Sequence, residues 1–135
     1  MDTGPLVAFL NRRDSFHPWA RDLFARLHPP LLSCEAVLAE ACFLLQGTHG
    51  GTAAVLELVN RGILVPQFSL ADHLPSVASL MKKYADLPMS LADACLVRMT
   101  EIHDICEVAS LDSDFLVYRR NGRQRIPVNM PPGIG

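Results

Sequence analysis

The sequence predicts an α/β protein, a single domain over residues 1–135 built as a three-layer α/β/α sandwich around a mainly parallel sheet. Three observations predict it. Short apolar runs alternate with stretches of helical periodicity, Gly and Pro fall between them, and a late β-prone run stops abruptly at Asp112-Ser113-Asp114. Strands separated by helices need right-handed crossovers, which make neighbouring strands parallel and cover both faces of the sheet. Half of the 135 residues are apolar, enough for one core without disulfides or metal staples.

Taken in order, residues 6–10 form an apolar run that suits either the end of a first strand or the start of a helix. Over 18–27, Trp19, Leu23, Phe24 and Leu27 recur at helical spacing with Arg21, Asp22 and Arg26 between them, and His28-Pro29-Pro30 ends that amphipathic helix. Leu31-Leu32-Ser33 fits a buried strand end, and the Ala- and Leu-rich stretch 35–46, closed by Gly47, is a helix. Residues 51–60 repeat the pattern, with Gly62 as the stop and 63–65 starting a strand. Helices are expected over 70–84, with Pro75 tolerable only near the first turn, and over 90–103. Residues 105–111 read as an interior strand and 126–130 as an edge strand.

No apolar run approaches the roughly 18 residues a membrane-spanning helix requires. No basic residue precedes the short apolar run near Met1, so the start does not read as a secretory signal and a cytoplasmic location is expected. Cys34, Cys42, Cys95 and Cys106 lie scattered in apolar segments without zinc spacing, and read as reduced core residues. The formal charge of −2 gives no broad basic field for coating a duplex. It leaves room for an acidic pocket offset by cations.

Four acids fall where a parallel α/β sheet keeps its ligands, beyond the carboxyl ends of the strands. Asp112 directly follows the late strand. Asp93 opens a helix, where Ser90-x-x-Asp93 also fits a capping arrangement. Glu40 is embedded in Ala36-Val-Leu-Ala-Glu-Ala-Cys-Phe43 and needs a cation, a basic partner or water if buried; an exposed stripe with Glu35 or Gln46 serves equally. Asp2, in Asp-Thr-Gly-Pro, fits an ordinary Asx-turn as well as a ligand. Hard oxygen donors without a suitably spaced His or Cys suit Mg²⁺ or Mn²⁺ better than zinc.

The same residues carry a likeness. Met1-Asp-Thr-Gly-Pro-Leu-Val-Ala-Phe-Leu-Asn11, Ala36-Val-Leu-Ala-Glu-Ala41, Leu91-Ala-Asp-Ala94 and Ser110-Leu-Asp-Ser-Asp-Phe115 resemble, in order and spacing, the four acidic motifs of the PIN-domain family. The likeness is strongest to short VapC-like toxin ribonucleases and spans nearly the whole chain. It implies a PIN-like fold in which Asp2, Glu40, Asp93 and Asp112 bind the metal, Thr3 and Ser110 are flanking hydroxyl residues, and Asp114 is an auxiliary ligand. Family members carry several apolar residues before the first Asp, whereas here only Met1 precedes Asp2.

The resemblance therefore implies a Mg²⁺- or Mn²⁺-dependent endoribonuclease, the toxin of a type II toxin–antitoxin pair, with an RNA substrate, a small antitoxin and a homodimeric partner. Substrate grip would fall to Arg119, Arg120, Arg123 and Arg125, with Arg12 and Arg13 as a second candidate pair; a solvated loop explains either group equally. The surplus apolar residues over 91–99 fit a dimer face or plain core packing. Two alternatives remain. A non-catalytic PIN-fold interaction module would keep the fold without chemistry. A phosphoacceptor receiver domain would need a lysine after its last strand, but Lys82 and Lys83, the only lysines, lie on a middle helix.

Overall fold

The computed structural model describes residues 1–104 and 106–134. The chain gathers into two compact units, one of Met1 with Thr3–Gln67 and one of Asp2 with the residues from Phe68 onward. Helices dominate and the strands are short, an α/β mix.

In the first unit, residues 6–10 belong to a helix, α1 (Thr3–Leu10). Pro5 stands in its first turn, where a backbone nitrogen has no intrahelical partner to lose. A second helix, α2 (His17–Arg26), likewise carries Pro18 in its first turn, and Phe9 of α1 stacks on Phe24 of α2 with ring centroids 3.9 Å apart. Strands β1 (Leu31–Ser33) and β2 (Leu64–Pro66) pair in parallel, Leu31 opposite Leu64 and Ser33 opposite Pro66. Helices α3 (Glu35–Leu44) and α4 (Gly51–Asn60) lie between them in sequence.

The helix expected to run to residue 46 ends at Leu44. Beyond it the chain turns twice, Thr48 N donating to Leu45 O at 2.9 Å and Gly51 N to Thr48 O at 3.0 Å, with Gly50 in the left-handed region at φ 66°. Leu6, Leu23, Val37, Leu45, Val55 and Leu64 are fully buried.

The second unit opens with α5 (Leu70–Lys83). Ser69 Oγ caps it by accepting from Asp72 N, and a kink at His73 sits two residues before Pro75, whose ring disturbs the preceding turn. Helix α6 (Leu91–Ile102) buries Ala92, Ala94, Cys95, Leu96, Val97, Met99 and Thr100, positions spread around its whole circumference. Of the two expectations for 91–99, core packing is therefore the one observed.

The strand expected over 105–111 reduces to β3 (Val108–Ala109), Ile105 lying outside the described residues. Arg119–Arg120 and Gln124–Arg125 form an antiparallel hairpin, β4 and β5, closed by the left-handed residues Asn121 (φ 50°) and Gly122 (φ 83°). The last strand, β6 (Val128–Asn129), pairs in parallel with β3. The stretch 119–125 is thus ordered β structure, not an open loop. Among the described residues the three sheets are each two-stranded, the first two parallel. Proline limits their length: Pro66 closes β2 and Pro127 precedes β6, and a proline nitrogen donates nothing to a ladder.

Candidate functional site

Four of the acids singled out in the sequence, Asp2, Asp93, Asp112 and Asp114, belong to the second unit. Asp2 reaches it through its backbone, its nitrogen donating to Ala109 O at the end of β3 at 3.0 Å. Ser110 follows directly and is fully buried. Its hydroxyl donates to Asp2 Oδ2 at 2.6 Å while its oxygen accepts from Asp112 N at 2.9 Å. One hydroxyl thus ties the acid near the start of the chain to the acid that ends the late strand region, two groups 110 residues apart.

Asp112 then caps the single 3₁₀ turn over Ser113–Leu116, its Oδ1 accepting from Asp114 N at 2.9 Å. Asp93 sits in the first turn of α6 and completes a capping box with Ser90: Asp93 N donates to Ser90 Oγ at 3.0 Å and Ser90 N to Asp93 Oδ2 at 3.4 Å. The capping and ligand readings of Asp93 are compatible, because the cap engages one carboxylate oxygen and an anion is favoured at a helix start.

A residue given no role from sequence completes this arrangement. Tyr118 is fully buried and its hydroxyl donates to Asp93 Oδ2 at 3.0 Å. Its ring is held edge-on by Phe115 and Tyr84, with centroids 5.3 and 5.1 Å away. The only sequence signal was a tyrosine shortly after an acidic cluster, since a buried tyrosine needs a partner for its hydroxyl. Spacing gave no way to name Asp93 as that partner.

The electrostatics tie the acids together. Burial raises the Asp93 carboxyl above its ordinary value, bonds from Tyr118 and Ser90 pull it partly back, and the charge on Asp112 pushes it up again. Tyr118 is held far above the usual phenol range by burial first, then by the charge and hydrogen bond of Asp93, then by Asp114 and Asp112. It is a permanent donor. The Asp112 charge acting on the Asp93 carboxyl is a local negative potential that a cation would relieve.

In the first unit Glu40 lies on an exposed part of α3, and its Oε2 accepts from Thr3 Oγ1 at 2.8 Å. The exposed position is the second of the two expectations for it; the outlet it finds is a hydroxyl. The arginine cluster divides. Arg119 donates through one Nη to the carbonyls of Leu116, Val117 and Tyr118, and Arg120 is buried with its fork toward the carbonyls of His103 and Asp104. Arg123 and Arg125 are exposed.

Among the described residues no group of three or more Asp, Glu, His or Cys side chains closes to metal-holding distance. Asp112 Oδ1 faces the Asp114 amide and Asp93 Oδ2 faces Tyr118, so each acid is held by its own local donor.

Neither the protein-family models nor the curated proteins compared with this chain give a match.

Proposed function

We propose that the chain is a Mg²⁺- or Mn²⁺-dependent endoribonuclease with a PIN-like three-layer arrangement, acting as the toxin of a type II toxin–antitoxin pair in the cytoplasm. The observation that carries the reading is the Ser110 bridge between Asp2 and Asp112, beside an Asp93 that the Asp112 charge affects. The Asp112 charge reaches the Asp93 carboxyl, and the Ser110 hydroxyl holds the Asp2 carboxylate on one side and the Asp112 backbone nitrogen on the other.

Their chemistry fits a hard divalent cation, all donors being oxygen. Asp2, Asp93 and Asp112 would hold it, with Asp114 as an auxiliary; Glu40 enters through the resemblance. When bound, the cation supplies Lewis-acid charge for phosphodiester hydrolysis. Ser110 orients Asp2 and Tyr118 orients Asp93, so neither acid is free to rotate its carboxylate away. Asp93, with its raised proton affinity, is the acid suited to accept a proton from water. Exposed Arg123 and Arg125 are the hairpin's candidates for phosphate contact, because Arg119 and Arg120 already serve carbonyls.

Phe43, Leu44 and Leu56 are exposed on α3 and α4, an apolar surface that suits a second copy or an antitoxin. No helix among the described residues is long and apolar enough to cross a membrane. The receiver-domain alternative loses support because Lys83 gives its ammonium to Gly122 O at 3.1 Å.

Incubating a single-stranded RNA with the protein in Mg²⁺, Mn²⁺ or chelator tests the proposal. Cleavage is expected with either metal, none with chelator, and a drop of at least about a hundredfold for Asp93→Asn and for Asp112→Asn. Wild-type cleavage by Asp93→Asn, or none under any metal, would sink it.

A further inference from the structure

The first unit carries a second concave surface whose chemistry is the reverse of the acidic cluster. A hollow of about 750 Å³ is lined by Leu10, Asn11, Arg12, Arg13, Thr48 and His49. A neighbouring hollow of about 580 Å³ is lined by Phe9, Leu10, Arg12, His17 and Arg21. Leu10 and Arg12 line both, so the two hollows adjoin and are taken together as one groove. Three arginines, Arg12, Arg13 and Arg21, line it and no Asp or Glu lines either part.

Two acids lie close in sequence, neither of them lining the groove. Asp14 Oδ1 accepts from Phe16 N at 2.8 Å and holds the turn after α1. Asp22 stands 4.0 Å from Arg21, an exposed pair of small worth. Among the described residues Arg12 and Arg13 have no ion-pair partner, whereas Arg61 is bonded to Glu57 and Arg98 to Glu101.

The groove's walls are built, not incidental. His17 donates Nδ1–H to Ala8 O at 2.8 Å, which turns Nε2 away from that carbonyl. Asn11 Oδ1 accepts from Arg13 N at 3.1 Å, fixing the start of the arginine loop. On the opposite wall, the turns from Leu45 to Gly51 set Thr48 and His49. Gly51 is packed so closely that an added Cβ would lie 2.6 Å from Leu45 O.

We propose that this groove binds the sugar-phosphate backbone of single-stranded RNA, Arg12 and Arg13 each contacting a phosphate and Arg21 extending the track. Two adjoining hollows, each the size of a whole small-ligand pocket, suit a polymer better than one phosphate. Planar guanidinium forks match phosphate oxygens in pairs, and the amide, hydroxyl and imidazole groups of Asn11, Thr48 and His49 suit sugar and phosphate contacts without base selectivity. The choice of RNA over other polyanions rests on the nuclease reading above.

The test is fluorescence anisotropy with a labelled unstructured single-stranded RNA, in chelator so that no cleavage intervenes, over about 50–200 mM salt. Removing two phosphate contacts from a single strand lowers the salt slope by about 1.4. The wild type's advantage over R12A/R13A should then shrink about sevenfold between those salt concentrations. Arg12→Lys with Arg13→Lys should keep most of the slope, and thermal melting should be unchanged in every variant because both side chains are exposed.

Equal slopes for wild type and R12A/R13A would overturn the proposal, as would preferential binding of a poly-glutamate peptide at the same groove, which would mean an acidic protein partner. Cleavage by the same proteins separates this result from the nuclease reading. A groove-dependent slope without metal-dependent cleavage supports the groove and removes the nuclease; cleavage sensitive to Asp93→Asn with equal slopes does the opposite.

Discussion

Replacing Tyr118 by Phe removes one oxygen from a fully buried side chain and leaves the ring in its place between Phe115 and Tyr84. The lost bond is the hydroxyl to Asp93 Oδ2 at 3.0 Å. A hydrogen bond to a charged acceptor contributes about 1.5–3 kcal/mol, and since Asp93 is only part-buried, water recovers some of that, leaving about 1–2 kcal/mol. For a chain of this size that is a fall in Tm of about 3–8 °C.

The charge on Asp93 makes this cost depend on pH. Its folded pKa lies above 3.8, raised by burial, so acidification through that value neutralises it and turns the bond into a neutral one contributing about 0.5–1.5 kcal/mol. The penalty of Tyr118→Phe should therefore be largest near neutrality and shrink toward about pH 4. It should shrink in the same way in an Asp93→Asn background, where the amide oxygen still accepts but carries no charge. Urea denaturation of wild type, Y118F, D93N and the double variant in chelator, at both pH values, closes the cycle. A Y118F penalty that is the same at both pH values and in both backgrounds would mean that only ring packing is at stake, and the reasoning would be wrong.

The raised proton affinity of Asp93 also places the acid limb of metal-dependent cleavage above an ordinary aspartate's: activity falls as pH drops through the folded pKa, and Tyr118→Phe moves the limb higher because the lost bond lowered that pKa. A limb below about pH 4 in a pH–rate profile would contradict this. Gly51→Ala should cost about 1–3 kcal/mol in chemical denaturation, since the new Cβ meets Leu45 O at 2.6 Å and Leu45 Cβ at 2.8 Å; an unchanged midpoint would show that the turn yields freely. Arg119→Ala should lower stability by about 1 kcal/mol through its three lost carbonyl bonds while leaving RNA binding alone, and Arg123→Ala should do the reverse. Paired melting and anisotropy measurements separate the two arginines.

Periodicity and punctuation made the helices legible. Trp19, Leu23 and Phe24 located α2, Gly62 marked the end of α4's segment, and Ser90 with Asp93 announced the start of α6. The strands were less legible because apolar runs mark burial, not pairing. Residues 105–111 are apolar enough for a strand, yet the described ladder covers only Val108 and Ala109. The short run after Met1 was ambiguous for the same reason, five apolar residues fitting either period until Pro5 is seated in a helix's first turn. At the candidate site, the acids could be named from residue type and order, whereas their partners could not. Ser110, Tyr118 and Thr3 meet their acids across 108, 25 and 37 residues. The arginines show the limit of composition most plainly: four in seven residues look like one basic patch, but β pairing sends alternate side chains to opposite faces, and Arg120 is buried while Arg123 and Arg125 are exposed.

The kind of donor chosen for each acid bears on the metal proposal. Ser110 serves Asp2, Tyr118 serves Asp93 and Thr3 serves Glu40, in each case through a neutral hydroxyl. An acid kept only to hold a fold together is well served by a Lys or Arg, which fixes its position and cancels its charge. A hydroxyl fixes a carboxylate by one lone pair, leaves its negative charge in place, and uses one of about four acceptor positions. For Asp93 the consequence is visible, because burial and the Asp112 charge raise its proton affinity and the hydroxyl only partly offsets that cost. An arrangement that holds Asp93 by neutral donors at such a cost is explained if a cation shares it, and a divalent ion would offset both the desolvation and the repulsion from Asp112. It follows that Mg²⁺ or Mn²⁺ should raise Tm in the wild type and much less in Asp93→Asn.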